Sequence, residues 1–362
     1  MKKRTYMSLL CLFCLFSLLS LPARAATENE LENAISDFFD AVPKDVKDAY
    51  GEGRLSDMAD GAQLLSFLFN WEGNGLREVI FTVLGLLLLF ALSSLLSPEG
   101  AGSDAERGVL IIAACVLFRT VSSLSLRALD YLSDLAAVAS AAVPAMSAVT
   151  AAAGGVTSAA AMANGISWFL LVLQHIACAC LLPLCRISFG FSAVSVFSDR
   201  LSVSALGGTL RRTYMLLLGF ISALLLFSLS SQTTLAASAD SLGRRTATYA
   251  IGSFLPVVGG TVSASLGTAM GAVSAIGSTL GTGGVIAVLA LLLPLLLELL
   301  LLRTVLSLAS GAGSMLGTQK GAALFAEMRG LLDMLFASVA IPSLIFLLIA
   351  AIFTRTVTTL AI

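Results

Sequence analysis

Apolar positions along this chain fall in long unbroken runs rather than in alternating or helical stripes. Six runs stand out, at roughly 79–97, 108–126, 166–185, 213–231, 284–302 and 331–353. Each is close to the ~20 apolar residues that a helix needs to cross a bilayer. The pattern predicts an all-α, polytopic membrane domain over 79–356 with about six transmembrane helices. Two further stretches are apolar but poor in leucine. These are "LAAVASAAVPAMSAVTAAAGGVTSAAAMAN" (135–164) and "FLPVVGGTVSASLGTAMGAVSAIGSTLGTGG" (254–284).

Lipid gives no hydrophobic drive for one helix to stick to another, whereas small residues let backbones approach closely. The second stretch therefore reads as a packing or pore-lining surface. Its candidate residues are Pro256, Gly259, Gly260, Gly267, Gly271, Gly277 and Gly281. Gly267 with Gly271, and Gly277 with Gly281, form G-x-x-x-G pairs that each share a helical face. Pro256 and Gly259-Gly260 predict a break, and hence a broken or re-entrant helix at 251–283 or one more full span. That choice decides the side on which the C-terminus lies.

The polar residues lie mostly at one end. The first 25 residues read as a cleavable signal peptide. "MKKR" is a basic start, "YMSLLCLFCLFSLLSL" a short apolar core, and Ala23-Arg24-Ala25 a small-x-small cleavage pattern. Residues 26–78 hold twelve acids and four bases, a net charge of −8. Within them Leu31, Ile35, Phe38 and Phe39 make one face of a helix, and "LLSFLFNW" (64–71) suggests a second. We expect an acidic, extracytoplasmic helical region.

Composition agrees with a membrane protein. Hydrophobic residues make up 57% of the 362 and charged residues 12%, about half the charged fraction of soluble domains. The net charge of −1 gives no reason to expect nucleic acid. With the mature N-terminus outside, the inner loops carry eight bases: Arg107, Arg186, Arg200, Arg211, Arg212, Arg303, Lys320 and Arg329. The outer side carries Arg127, Arg244, Arg245 and Arg355. That excess fits the positive-inside rule.

Three charges fall inside predicted spans: Asp333 near the start of the last one, and Arg119 and Glu298 further in. Either of the latter two lines an ion or substrate path, or each sits near a span end. On the second reading, which we prefer, Arg119 snorkels to the outer interface and Glu298 reaches the cytoplasmic one. His175, Cys178, Cys180 and Cys185 resemble a metal cluster in spacing. On a helix His175 and Cys178 share a face from which Cys180 turns away, so we expect apolar wall rather than ligands. None of the six cysteines falls in the exported region, so no disulfide framework is expected. There is no phosphate-binding G-x-x-x-x-G-K-[ST] loop. A single histidine, inside a span, argues against a Ser-His-Asp triad. We expect neither enzyme activity nor a cofactor.

The order of features over 211–303 is distinctive. A span leads to Ser231-Gln232, then Asp240 and the basic pair Arg244-Arg245. "FLPVVGG" follows, then the small-residue segment and a span centred on Pro294. "VPKDVKDAY" (42–50) precedes the first span. Together these resemble the stage III sporulation protein AE family of endospore-forming bacteria. The resemblance implies a multi-pass protein of the mother-cell membrane facing the forespore, in a secretion-like channel complex required for sporulation. It implies partners among other stage III sporulation membrane proteins, including an ATPase and ring-forming components, beside the lipid bilayer. The alternative reading is a stand-alone transporter or permease for a small solute, since broken helices near mid-membrane also mark that class.

Overall fold

The computed structural model describes residues 74–95, 102–197, 204–254 and 259–361, and singly Asn33, Ser36, Asp37 and Asp40, which are helical. The expected signal peptide, most of 26–78 and Pro256 lie outside the described residues. Every described element is a helix or a helix-joining turn, and among the described residues there is no strand. In order these are α1 (Asn74–Leu95), α2 (Gly102–Ala152), α3 (Val156–Val172), a π-helix (Leu173–Cys178), α4 (Ala179–Phe197), α5 (Ser204–Phe254), α6 (Gly259–Met315) and α7 (Gln319–Ala361).

Five helical segments are long and apolar enough to cross a membrane. They are Arg107–Ala152, Val156–Ser195, Ala205–Gly243, Ala275–Met315 and Gln319–Thr359. The sixth expected span corresponds to α1, whose described apolar stretch, Phe81–Leu92, is shorter. The helices are much longer than the apolar runs that predicted them. At 1.5 Å per residue, the 57 residues of α6 extend about 85 Å and the 51 of α2 about 77 Å. A hydrocarbon core is about 30 Å thick. Alanine, glycine, serine and threonine lower hydropathy without ending a helix, so the spans continue as helix into their small-residue neighbours.

The small-residue segment of α6 is therefore no separate element. One helix runs from Gly259 through Met315, with Pro294 inside it. α5 is described to Phe254 and α6 from Gly259, and the break expected at Pro256 lies outside the described residues. The other small-residue stretch does break, at residues 153–155, where Gly154 takes φ 84°. The Gly155 N–H bonds to the Thr150 carbonyl at 3.0 Å and the Gly154 N–H to the Ala151 carbonyl at 2.9 Å. This is the Schellman cap, which needs a left-handed residue just past the helix end. The α6–α7 turn repeats it. Gly317 has φ 79°, Thr318 N–H reaches the Gly313 carbonyl at 3.0 Å, and Gly317 N–H reaches that of Ser314 at 3.3 Å.

These two turns define the ends of the bundle. From the Gly317 end, α2, α5 and α7 run up towards the Gly154 end, and α3–α4 and α6 run down. Pairs along the seams fix the register. Antiparallel α6 and α7 meet at Ser310 with the Ala322 carbonyl (2.9 Å) and at Arg303 with Asp333 (2.5 Å). Parallel α2 and α7 meet at Tyr131 and Ser343, 2.5 Å apart. Parallel α5 and α7 meet where the Ser338 hydroxyl donates to the Tyr214 oxygen at 3.2 Å. At the Gly317 end, Phe90 of α1 sits edge-on to Phe325, centroids 5.9 Å apart. One apolar core extends from there through Leu218, Phe169 and Phe346 to Val149 and Val357.

This register brings together charges that the sequence reading set on opposite sides. Arg119 was placed near an outer span end and Arg186 on the inner side. Yet Phe118 and Ser122, which flank Arg119, line one cleft with Arg186. Arg119 is thus exposed in the lower half of α2, with 33 residues of helix still to come. Likewise Arg127 was placed outside and Glu298 at the cytoplasmic end of its span, but the two are bonded to each other at 2.6 Å. The greasiest run of α2 lies closer to the Gly317 end than those of α5, α6 and α7. A hydropathy run does not mark height when the helix continues well beyond it.

Candidate functional site

Two kinds of contact organise the bundle: a glycine seam and a set of charged clamps. In the seam, α6 lies against α7 and α2. A Cβ on Gly277 would fall 2.8 Å from Val357 Cγ1 and 3.0 Å from Val149 Cγ1. One turn on, a Cβ on Gly281 would overlap the Thr354 hydroxyl, with Phe353 Cδ1 at 3.5 Å. Any larger residue would force the helices apart. Gly271 is exposed, with nothing within 4 Å of the same position. Gly259 and Gly260 open α6 and Gly267 follows on it, while their surroundings lie outside the described residues.

The alanine-rich half of the seam comes from α2. Leu135, Val138, Ala139, Ala142, Ala145, Met146 and Val149 are buried, and so is Ala159 of α3. Their spacing is the 3–4-residue rhythm of a helix face turned inwards. On α3, Gly165 leaves room for Leu229 of α5, which would collide with a Cβ there.

Glu298 is only 5% exposed and receives the Arg127 guanidinium. A buried carboxylate without a partner would be strongly destabilising, so this pair links α2 to α6. Nearer the Gly317 end, Arg211 of α5 is 6% exposed. It donates to the Glu327 carboxylate at 2.5 Å and to the Glu327 backbone carbonyl at 2.8 Å. The Ser192 hydroxyl donates to the same carboxylate at 3.0 Å. Gly330 makes the space, since a Cβ there would lie 2.9 Å from Arg211 Nη1. The cluster therefore ties α4, α5 and α7 together. Sequence reading missed it, counting Arg211 as a loop base. Glu327 lies 116 residues away, and no local spacing connects the two.

The third clamp involves Asp240, part of the distinctive order over 211–303. Its carboxylate caps the start of α3 from another helix. It accepts from the Thr157 N–H at 3.2 Å, the Ser158 N–H at 2.8 Å and the Ser158 hydroxyl at 2.7 Å, and from the Thr157 hydroxyl. The first N–H groups of a helix have no partner within it, and the helix dipole favours a negative charge there.

His175 is exposed on the π-helix, its Nδ1 3.1 Å from the Leu171 carbonyl. Cys180 Sγ points to the His175 carbonyl at 3.6 Å, and Cys185 is buried. Among the described residues no three His, Cys, Asp or Glu converge as metal ligands. These geometries hold helices in register.

No curated protein and no solved structure matches this chain. The family model for stage III sporulation protein AE matches residues 46–356 of the 362. That span takes in every clamp and both described glycines of the seam, and the chain belongs to the stage III sporulation protein AE family.

Proposed function

We propose that this chain is a non-enzymatic integral subunit of a secretion-like channel complex joining mother cell and forespore. It would sit in the mother-cell membrane facing the forespore, with an ATPase and ring-forming proteins as partners. Family membership implies a role in stage III of sporulation. The observation that carries the finer reading is the closed core of a bundle longer than a bilayer is thick. Leu132, Met146, Phe169, Phe346 and Phe353 fill the interior and are fully buried. A lone chain packed in this way has side chains where a conduit would pass, so a passage requires other subunits or several copies. The helices also rise past the hydrocarbon thickness as a packed tier, a surface that a partner between two membranes can grip.

Base placement supports an orientation. Arg107, Arg119, Arg186, Arg211, Arg212, Arg303, Lys320 and Arg329 lie towards the Gly317 end, against Arg245 and Arg355 near the Gly154 end. Under the positive-inside rule the Gly317 end is cytoplasmic.

The test is mild-detergent isolation of the full chain from sporulating cells, paired with reconstitution of the purified chain into liposomes. The subunit reading expects the ATPase and ring components to co-purify and the lone chain to move no solute. A chain that comes away alone and transports a defined solute by itself would replace this reading with the permease.

A further inference from the structure

Near the Gly154 end a groove of about 380 Å³ opens between α5 and α7. Its walls are unlike the rest of the surface. The α5 side presents Thr234, Ser238 and Arg245, and the α7 side Arg355, Thr356 and Thr359. Among the described residues no carboxylate lines it. Among the described residues neither guanidinium has an acidic partner. Asp240, the acid closest to it along α5, is committed to the start of α3.

The hydroxyls are available as donors. Thr234 now donates to the Ser230 carbonyl, Ser238 to Thr234, Thr356 to Ile352 and Thr359 to Arg355. Each acceptor lies in a helix interior and already receives a backbone N–H, so a hydroxyl that swings into the groove leaves no carbonyl unsatisfied. Two unpaired guanidiniums beside a row of hydroxyls match a tetrahedral oxyanion, which arginine binds through paired N–H donors. Exposed Phe220 and Phe227 on α5 and Leu344 and Leu348 on α7 lie below it, and exposed Leu235 and Leu242 carry apolar surface on α5 along the same stretch as the groove.

We propose that this groove binds a phosphate group, carried by an anionic lipid headgroup or by a free phosphate compound. The volume exceeds what inorganic phosphate needs and lies within the range of small-ligand sites, about 300–1,000 Å³.

The experiment uses the delipidated full chain in detergent, titrated with inorganic phosphate by calorimetry. In parallel, the chain is exchanged into nanodiscs of phosphatidylglycerol and phosphatidylcholine in equal parts, and the retained lipid is quantified by mass spectrometry. Variants are R245Q/R355Q, R245K/R355K and, as a control at the other end of the bundle, R212Q. The site predicts a loss of about tenfold or more in R245Q/R355Q and a smaller loss in R245K/R355K, because lysine keeps the charge but not the fork. R212Q should match the native chain. Phosphate binding in detergent identifies a free phosphate compound as sufficient. Selective retention of phosphatidylglycerol without phosphate binding identifies the headgroup. The proposal is overturned if the native chain shows neither, or if R212Q loses as much as R245Q/R355Q. It is equally overturned if R245Q/R355Q, with native helicity by circular dichroism, binds as the native chain does.

Discussion

Gly277 and Gly281 are enclosed by neighbouring helices, whereas Gly271, six residues earlier on the same helix, faces open space. Nothing in their composition separates them: both positions belong to G-x-x-x-G pairs in one uncharged small-residue segment. The difference is what lies opposite each of them. Gly281 meets Thr354 and Gly277 meets Val357, so each step back along α6 is a step forward along α7. No described side chain of α7 comes within 4 Å of a Cβ on Gly271. A small-residue motif permits close approach, but a second helix must reach the same height for the approach to occur.

The largest test of this contrast is Gly281→Leu. Its Cβ would strike Thr354, whose hydroxyl is itself tied to the Ala350 carbonyl at 2.8 Å. Overpacking of this kind costs about 3 kcal/mol at its upper end. We expect a clear drop in the thermal midpoint of the purified chain in detergent, and loss of sporulation in cells. A midpoint unchanged from native would mean that α6 and α7 are not in contact at that height.

The next effect concerns the clamp that sets α6 against α2. Arg127→Ala leaves Glu298 buried without its partner, at a cost of about 2 kcal/mol. That is below the 3–5 of fully buried pairs, because the Arg127 side chain is 51% exposed against 7% for Glu298. Glu298→Gln leaves only a half-exposed arginine unpaired and should cost less. Paired denaturation curves of the two variants check the asymmetry, and equal losses would contradict the burial difference.

Much of this fold was legible in the sequence, for a physical reason. Long apolar runs and low charge dictate membrane helices whatever their packing, so the class and the approximate places of the spans followed directly. What did not follow was anything set by contact between distant segments. Glu298 was read as reaching the cytoplasmic interface, while its actual partner Arg127 is 171 residues away. Arg211 was read as a loop charge, although burial against Glu327 makes it a core residue. The ends of the helices were also missed, although they left a signal. Gly154 and Gly317 each follow a run of helical residues and sit at the left-handed capping position. Gly154 was hidden among other glycines and alanines, where composition suggested packing rather than a turn.

A smaller effect is expected at Asp240. Asp240→Ala removes the cap from α3 and frees the α3–α5 contact near the 153–155 turn. Loss of a helix cap costs about 1 kcal/mol. Hydrogen exchange should report it locally, with faster exchange at the Thr157 and Ser158 amides and little change near Gly317. Faster exchange throughout the bundle would show that the clamp holds more than the Gly154 end.

The smallest effect is the most discriminating. Gly271→Ala adds a methyl group where nothing lies within 4 Å. Glycine is the poorer residue in a helix interior by about 1 kcal/mol, because it has more backbone freedom to lose. In the isolated chain the substitution should therefore be neutral or stabilising by up to about 1 kcal/mol, opposite in sign to Gly281→Leu. The assembled complex adds a second readout. If a partner helix occupies the space beside Gly271, that glycine becomes a packing position, and bulk at 271 will disturb assembly while leaving the lone chain intact. Comparing the stability of purified Gly271→Leu with its co-purification from sporulating cells separates the two roles. A native midpoint with lost partners places an intersubunit contact at this height, and a native midpoint with partners retained leaves this part of α6 facing lipid or water.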